Sequence, residues 1–179
     1  MALSGFTSET AKERNQVVIR AVFLDRDGVR NANVVRDGRP VAPATMAEFQ
    51  LLPGVEDALR RLKAAGFLLV VVTNQPDVAT GRTTQATVDA MHAELRRRLP
   101  LDDIKVCVHV DADRCQCRKP KPGMMLDAAM QWNIDLSTSY LVGDRWRDIE
   151  AGRAAGCSTV FVDYGYPQDG PNRPDKVVR

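Results

Sequence analysis

Residues 17–28 read VVIRAVFLDRDG, a β-branched and mostly apolar run that stops abruptly at Asp25-Arg26-Asp27-Gly28. A run of this kind describes a strand covered on both faces, as in the interior of a parallel sheet. Its tip carries two carboxylates, Asp25 and Asp27, at i and i+2. Just downstream, Arg36-Asp37-Gly38-Arg39 contains the Asp-Gly pair that tight hairpins favour, so residues 29–43 are expected to form a small flap leaning over that tip. Pro53-Gly54 then opens a segment with Val55, Ala58, Leu59, Leu62 and Ala65 at helical spacing, and Gly66 stops it.

The alternation repeats along the chain. FLLVVV (67–72) is a second buried strand ending in Thr73-Asn74-Gln75-Pro76, and Thr83 to Leu99 is a second amphipathic helix. In Ile104 to Asp111 apolar residues alternate with Lys105, Cys107, His109 and Asp111, which predicts a third strand with Cys107 and His109 on one side. A helix from about 122 to 132, a strand 140–142 ending in Gly143-Asp144, a helix 149–155 and a strand 159–162 complete the series. Repeated strand–helix units imply an α/β fold, a parallel sheet with helices on both faces and right-handed crossovers. Such sheets bind ligands beyond the carboxyl ends of their strands, where Asp25, Asp27, Thr73 and Asp144 are expected.

The chain has 179 residues, 25 Lys and Arg against 23 Asp and Glu, and 44% hydrophobic residues, the balance of one globular domain and not of a disordered chain or a dedicated polyanion binder. Residues 1–16 and 166–179 read as tails. No apolar run approaches the roughly 18 residues of a membrane helix, and the first 16 residues lack the apolar stretch of a signal peptide. The expectation is a cytoplasmic monomer with no membrane or nucleic-acid partner. Arg96-Arg97-Arg98 falls at a helix C-terminus, where positive charge complements the dipole, and no aromatic platform accompanies it.

Two carboxylates at one strand tip, a hydroxyl at a second, Lys119 near a third and Asp144 at a fourth form a set suited to phosphoryl transfer. Asp25 and Asp144 offer hard oxygen ligands for Mg²⁺. A carboxylate nucleophile gives an aspartyl phosphate that water hydrolyses, with Lys119 and Thr73 stabilising charge on the phosphoryl oxygens and Asp27 protonating the leaving alkoxide. Alone, Asp-x-Asp-Gly is also an ordinary turn, and Val29 sits where a calcium loop needs an oxygen ligand. Arg118, Arg145 and Asn74 adjoin these groups and are expected to face substrate. His92 reads as a surface or half-buried helix residue and Cys157 as a small core residue.

A second cluster lies apart from these tips. Cys107-x-His109-x₅-Cys115-x-Cys117 supplies three thiolates and one imidazole, a complete tetrahedral Zn²⁺ shell with no position for water, which points to a structural metal. Without metal the same residues would be a reduced thiol cluster. Zinc would pin the 110–116 loop and so position Arg118 and Lys119 just after the last ligand.

FLDRDGV (23–29), VVVTNQ (70–75), CRKPKPGM (117–124) and VGDRWRD (142–148) resemble the four ordered motifs of the haloacid dehalogenase superfamily of phosphatases. With the Cys/His cluster, the chain is similar to the group containing histidinol-phosphate phosphatases and D-glycero-D-manno-heptose-1,7-bisphosphate 7-phosphatases, over roughly residues 18–165. The resemblance implies a Rossmann-like fold with a minimal cap and a zinc-stapled loop. It assigns Asp25 as nucleophile, Asp27 as general acid and base, Thr73 and Lys119 as phosphate binders, and Asp144 as Mg²⁺ ligand beside Asp25 and the Asp27 backbone carbonyl, with Asp148 behind them. Pro122-Gly123-Met124 and Ala79-Thr80-Gly81 favour the heptose enzymes, whereas the short zinc loop and Gly143-Asp144-Arg145 look more like the histidinol-phosphate enzymes. The heptose reading is preferred because its segments lie beside the phosphate. Val29, Arg30 and Pro76-Asp77 depart from the family pattern. A phospholigand-binding module without turnover and a nucleic-acid 3′-phosphatase are the alternatives, disfavoured by the intact Asp25/Asp27 pair and the near-neutral charge respectively.

Overall fold

The computed structural model describes residues 18–36, 39–165 and 174–179. Six parallel strands form the sheet: β1 (Ala21–Leu24), β4 (Leu68–Asn74), β5 (Asp103–Cys107), β6 (Tyr140–Gly143), β7 (Ser158–Val162) and β8 (Lys176–Val178), in the order β5-β4-β1-β6-β7-β8. A hairpin of β2 (Val34–Arg36) and β3 (Arg39–Val41) stands apart from it. Among the described residues there are five α-helices: α1 (Val55–Ala64), α2 (Pro76–Ala79), α3 (Gln85–Arg98), α4 (Gly123–Trp132) and α5 (Trp146–Ala155).

Strand alternation distributes the core over two faces. Ala21, Phe23, Val70 and Val72 point to one side, where they meet Met124, Met125 and Ala128 of α4 and Ala151 and Ala155 of α5. Val22, Leu24 and Leu69 point to the other, against Leu59 of α1 and Leu95 of α3. Each such aliphatic side chain contributes about 1.5–3 kcal/mol when fully buried, so both helical layers are held by the same few strands. The α3 N-terminus is capped by Thr84, whose hydroxyl accepts the Thr87 amide at 3.1 Å.

From β1 the chain moves one way to β4 and β5 and then the other way to β6, β7 and β8, so the strand order reverses at β1. A crevice opens at the carboxyl ends of strands beside such a reversal. The expected hairpin is present as β2 and β3, its turn residues 37–38 lying outside the described residues.

Three expectations change. β5 stops at Cys107, leaving His109 in the following loop and not in the strand, because the chain must turn there to bring Cys115 and Cys117 back. The stretch 166–179 is not wholly a tail. Lys176–Val178 pairs with β7 as the edge strand β8, and the Asp175 carboxylate beside it accepts the Thr159 amide at 2.7 Å and its hydroxyl at 2.8 Å. The 1–16 tail and residues 166–173 lie outside the described residues. β1 begins at Ala21, with Val18 exposed and Ile19 held by a single bridge to Ile134. Among the described residues no helix is long and apolar enough to cross a membrane.

Candidate active site

The ends of β1 and β4 and the first turn of α5 meet around Lys119. Its ammonium, 2% exposed as a residue, donates to Asp25 Oδ1 at 2.8 Å, to the Val72 carbonyl at 2.8 Å and to Asp148 Oδ1. Burial alone would push its pKa down, but the carboxylates of Asp148 and Asp25 outweigh this and hold it above the ordinary lysine range. The lysine is therefore a fixed positive charge beside Asp25. Asn74 sets the lysine backbone: its amide accepts from the Lys119 N–H and donates to the Lys119 carbonyl, both at 3.1 Å.

Asp25, Asp144 and Asp148 are all buried, and each places a carboxylate oxygen within 4.8 Å of the others'. Burial, then the charges of Asp25 and Asp148, raise Asp144 to about 7, and burial with Asp25 raises Asp148 to about 6 despite Lys119. Three carboxylates against one ammonium leave negative charge that a hard divalent cation offsets, and the all-oxygen donor set suits Mg²⁺. Asp148 has both oxygens engaged, Oδ1 by Lys119 and Oδ2 by the Arg145 amide at 3.0 Å. Asp25 and Asp144 are the pair that the sequence reading offers to Mg²⁺. Asn33, ahead of the hairpin, donates to Asp144 Oδ2 at 3.0 Å. Gly28 takes φ +79° on this path, and a Cβ there would lie 2.2 Å from Asp144 Oδ2.

Asp27 is gripped from three sides. Arg26 donates Nε and Nη2 to its two oxygens at 3.0 Å, Asn31 donates at 2.8 Å and Gln75 at 2.9 Å. Burial pushes the carboxyl up, but the Arg26 charge and these hydrogen bonds prevail and hold it below the usual carboxylate range. Gln75 also donates to Thr73 Oγ1 at 2.8 Å, tying the β4 hydroxyl to the same carboxylate.

A cavity of about 530 Å³ opens over these groups, lined on its floor by Asp25, Asp27 and Lys119. Arg82, Arg118, Arg145 and Arg147 stand on its walls. Arg118 Nε donates to Asp111 at 2.7 Å, and its buried Nη1 has no hydrogen-bond partner among the described residues. Arg147 shares that aspartate at 3.0 and 3.2 Å. Arg145 lies 3.4 Å from Asp144 and donates to the Pro40 carbonyl at 2.9 Å, joining α5 to the hairpin. Sequence reasoning missed Gln75, Asn33, Asp111 and Arg147, whose residue types are ordinary in loops and at helix starts.

Cys107, His109, Cys115 and Cys117 gather as a second ligand group, with Sγ–Sγ separations of 3.1, 3.5 and 3.7 Å and His109 Nδ1 3.3 and 3.5 Å from two sulfurs. These separations are far from disulfide bonds, and a tetrahedron with metal–sulfur bonds of about 2.3 Å has edges of roughly 3.8 Å. The thiols and imidazole therefore suit Zn²⁺. Lys121 holds the returning loop by donating to the carbonyls of Arg114 and Cys115 at 2.9 and 2.6 Å. At Gly123 the loop passes so close that a Cβ would meet the Gln116 carbonyl at 2.3 Å.

His92 differs from its expected surface or half-buried place: it is 5% exposed and sits behind Arg26, Nε2 3.3 Å from Nη1. Cys157 is in the core, as expected. Arg30 is fully buried, donates to the Leu24 carbonyl at 2.9 Å, and leaves Nε and Nη1 without hydrogen-bond partners among the described residues.

The chain is similar to known proteins. A D-glycero-beta-D-manno-heptose-1,7-bisphosphate 7-phosphatase of Rhodopseudomonas palustris is 39% identical over 148 residues, 76% of this chain and 79% of that protein. The protein of the same name from Escherichia coli K12 is 39% identical over 164 residues, 83% of this chain and 82% of its own. The crystal structure of D,D-heptose 1,7-bisphosphate phosphatase from B. bronchiseptica, complexed with magnesium and phosphate, superposes with a TM-score of 0.71 at 36% identity, covering 80% of each chain. Residues 23–156 match the haloacid dehalogenase-like hydrolase family, and this chain belongs to it.

Proposed function

We propose that this protein is a Mg²⁺-dependent phosphatase that removes the 7-phosphate of D-glycero-D-manno-heptose 1,7-bisphosphate through an aspartyl phosphate on Asp25. The observation that carries the reading is the buried Asp25–Lys119–Asp148 chain at the cavity floor, beside Asp144. The named activities of relatives at 39% identity supply the substrate class.

Asp25 attacks phosphorus, its oxygen forming the new P–O bond while the bond to the sugar oxygen breaks. Asp27, ionised in the free site, takes the proton of the substrate's phosphate monoanion as it binds and gives it to that oxygen, then takes one from the water that attacks the aspartyl phosphate, releasing phosphate and restoring the Asp25 carboxylate. Lys119 and Thr73 stabilise the phosphoryl oxygens. Asp25, Asp144 and the Asp27 carbonyl would hold Mg²⁺, which supplies charge neutralisation at the transferring group. Arg118, with its unpartnered Nη1, and Arg145 face the rest of the substrate. Asn74 lines the same cavity, and its clamp on Lys119 makes positioning its main contribution. Cys107, His109, Cys115 and Cys117 would hold Zn²⁺, which would fix the loop that presents Arg118 and Lys119. The reading includes a cytoplasmic monomer with no membrane or nucleic-acid partner.

The test is phosphate release in Mg²⁺ from both anomers of the heptose bisphosphate and from histidinol phosphate, compared as kcat/KM because discrimination resides there. A large preference for a heptose anomer is expected. Preference for histidinol phosphate would replace the substrate assignment, and absence of turnover would leave a phospholigand-binding module.

A further inference from the structure

Arg26 stands between the two acidic residues of the first motif, fully buried, yet it points away from the cavity walls. Its guanidinium is engaged on every side: both oxygens of Asp27 at 3.0 Å, Gln75 Oε1 at 2.9 Å, and His92 Nε2 at 3.3 Å, with the Phe49 ring centroid 5.9 Å away. A planar fork held this way has one orientation, and so does the carboxylate it grips.

His92 occupies the far end of this chain of contacts. It projects from α3 between Met91 and Leu95, both fully buried, so the helix core fixes its ring. A guanidinium has no acceptor, so the contact requires a neutral imidazole accepting at Nε2. Burial first, then the charges of Arg26 and Arg96, push the imidazole pKa down to about 4 against the opposing influence of Asp27 and Asp89, which keeps the ring neutral.

We infer that His92 is a positioning residue for catalysis: through Arg26 it holds the Asp27 carboxyl in the orientation from which it exchanges protons with the leaving oxygen. The inference rests on the reading of Asp27 as proton donor. It assigns a function to a helix histidine that touches neither substrate nor metal. Without the acceptor, Arg26 Nη1 is buried with no partner, and the fork can turn towards other acceptors and take Asp27 with it. Gln75 and the two Asp27 oxygens then remain as the hydrogen-bond partners of Arg26, with nothing holding Nη1.

The consequence is specific to the leaving group. Expulsion of a sugar alkoxide needs the proton, whereas p-nitrophenolate leaves without one. The kinetic constant kcat/KM reports steps only through loss of the leaving group, so it isolates the acid half of the reaction. General acid catalysis is worth about 10²–10⁴-fold, and loosening the acid is expected to forfeit about tenfold of it.

The experiment compares wild type, His92→Leu and His92→Gln on the heptose bisphosphate, glycerol phosphate and p-nitrophenyl phosphate. For His92→Leu the two alkyl esters are expected to lose about tenfold in kcat/KM, with less than about a twofold loss on the aryl ester. His92→Gln keeps a neutral acceptor and is expected to recover most of the alkyl activity. Equal losses on all three esters would mean a packing role only, and no loss on any would mean no role; either overturns the inference. If His92→Leu does not fold, the alkyl-to-aryl ratio of His92→Gln against His92→Ala decides in the same way. A wild type that hydrolyses glycerol phosphate and p-nitrophenyl phosphate but not the heptose ester overturns the substrate reading alone, and the alkyl-to-aryl ratio still tests His92. A wild type that hydrolyses none of the three overturns both.

Discussion

Among the described residues two groups of potential metal ligands gather, and they are built on opposite principles. Asp25, Asp144 and Asp148 are buried hard ligands crowded against one another, balanced in part by Lys119, and they open onto a cavity. Cys107, His109, Cys115 and Cys117 are softer ligands, Cys107 buried and the other three at least partly exposed, gathered within 4.8 Å of one another with no catalytic group among them. The first is electrostatically strained until a cation and a phosphate arrive. The second has nothing to gain from substrate and everything from an ion that ties a loop together. A working site thus leaves its ion open to substrate, whereas a staple closes its ion off.

The sharpest way to break this contrast is to change one ligand in each group. Asp25→Asn is expected to reduce kcat by at least about a thousandfold, because the nucleophile is lost while Lys119 and Asp148 remain. The same change relieves repulsion on Asp144, so the melting temperature should hold or rise. Steady-state kinetics with thermal melting checks both, and normal hydrolysis by this variant would remove Asp25 from the nucleophile's place.

Cys115→Ser should act the other way round. Metal analysis of wild type purified without added zinc is expected to find about one zinc per chain, and the variant little. Its melting temperature should fall clearly and its activity only through displacement of Arg118 and Lys119. Full stability and activity without zinc would dissolve the contrast from the staple's side.

The smallest effect is a dependence on pH. Asp144 and Asp148 are raised to about 7 and about 6 in the metal-free protein, above the 3.8 of an ordinary aspartate, so the folded state binds more protons than the unfolded chain between these values. Their contribution to stability is fully present below about pH 4 and is lost as pH rises through 6 and 7. Mg²⁺ replaces those protons. Its addition should therefore raise the melting temperature by a few degrees near pH 7.5 and hardly at all near pH 4.5, read by differential scanning fluorimetry. An equal gain at both values would place Mg²⁺ away from these carboxylates.

Much of this organisation is legible in particular residues. The apolar runs of β1 and β4 end where the charged tips begin, because a strand buried on both faces must reach solvent before it can carry carboxylates. The cysteine spacing is equally plain, since close pairs of ligands impose their own geometry. His109 lies beyond β5 although the alternation continues through it, because the ladder ends at Cys107. β8 leaves no mark in the sequence, because three residues with exposed side chains carry no buried pattern and only pairing with β7 makes them a strand.

The sequence by itself determined the strand–helix alternation, the carboxylates at the strand tips and the four soft ligands, for these depend on neighbours a few positions away. Tertiary structure alone decided which charges meet. Lys119 reaches Asp25 across 94 positions, and His92 reaches Arg26 across 66. Lysines, histidines and arginines are common at surfaces and carry no local mark of burial. What makes these act is removal from water beside one partner, and that removal exists only once the sheet and both helical layers have closed around them.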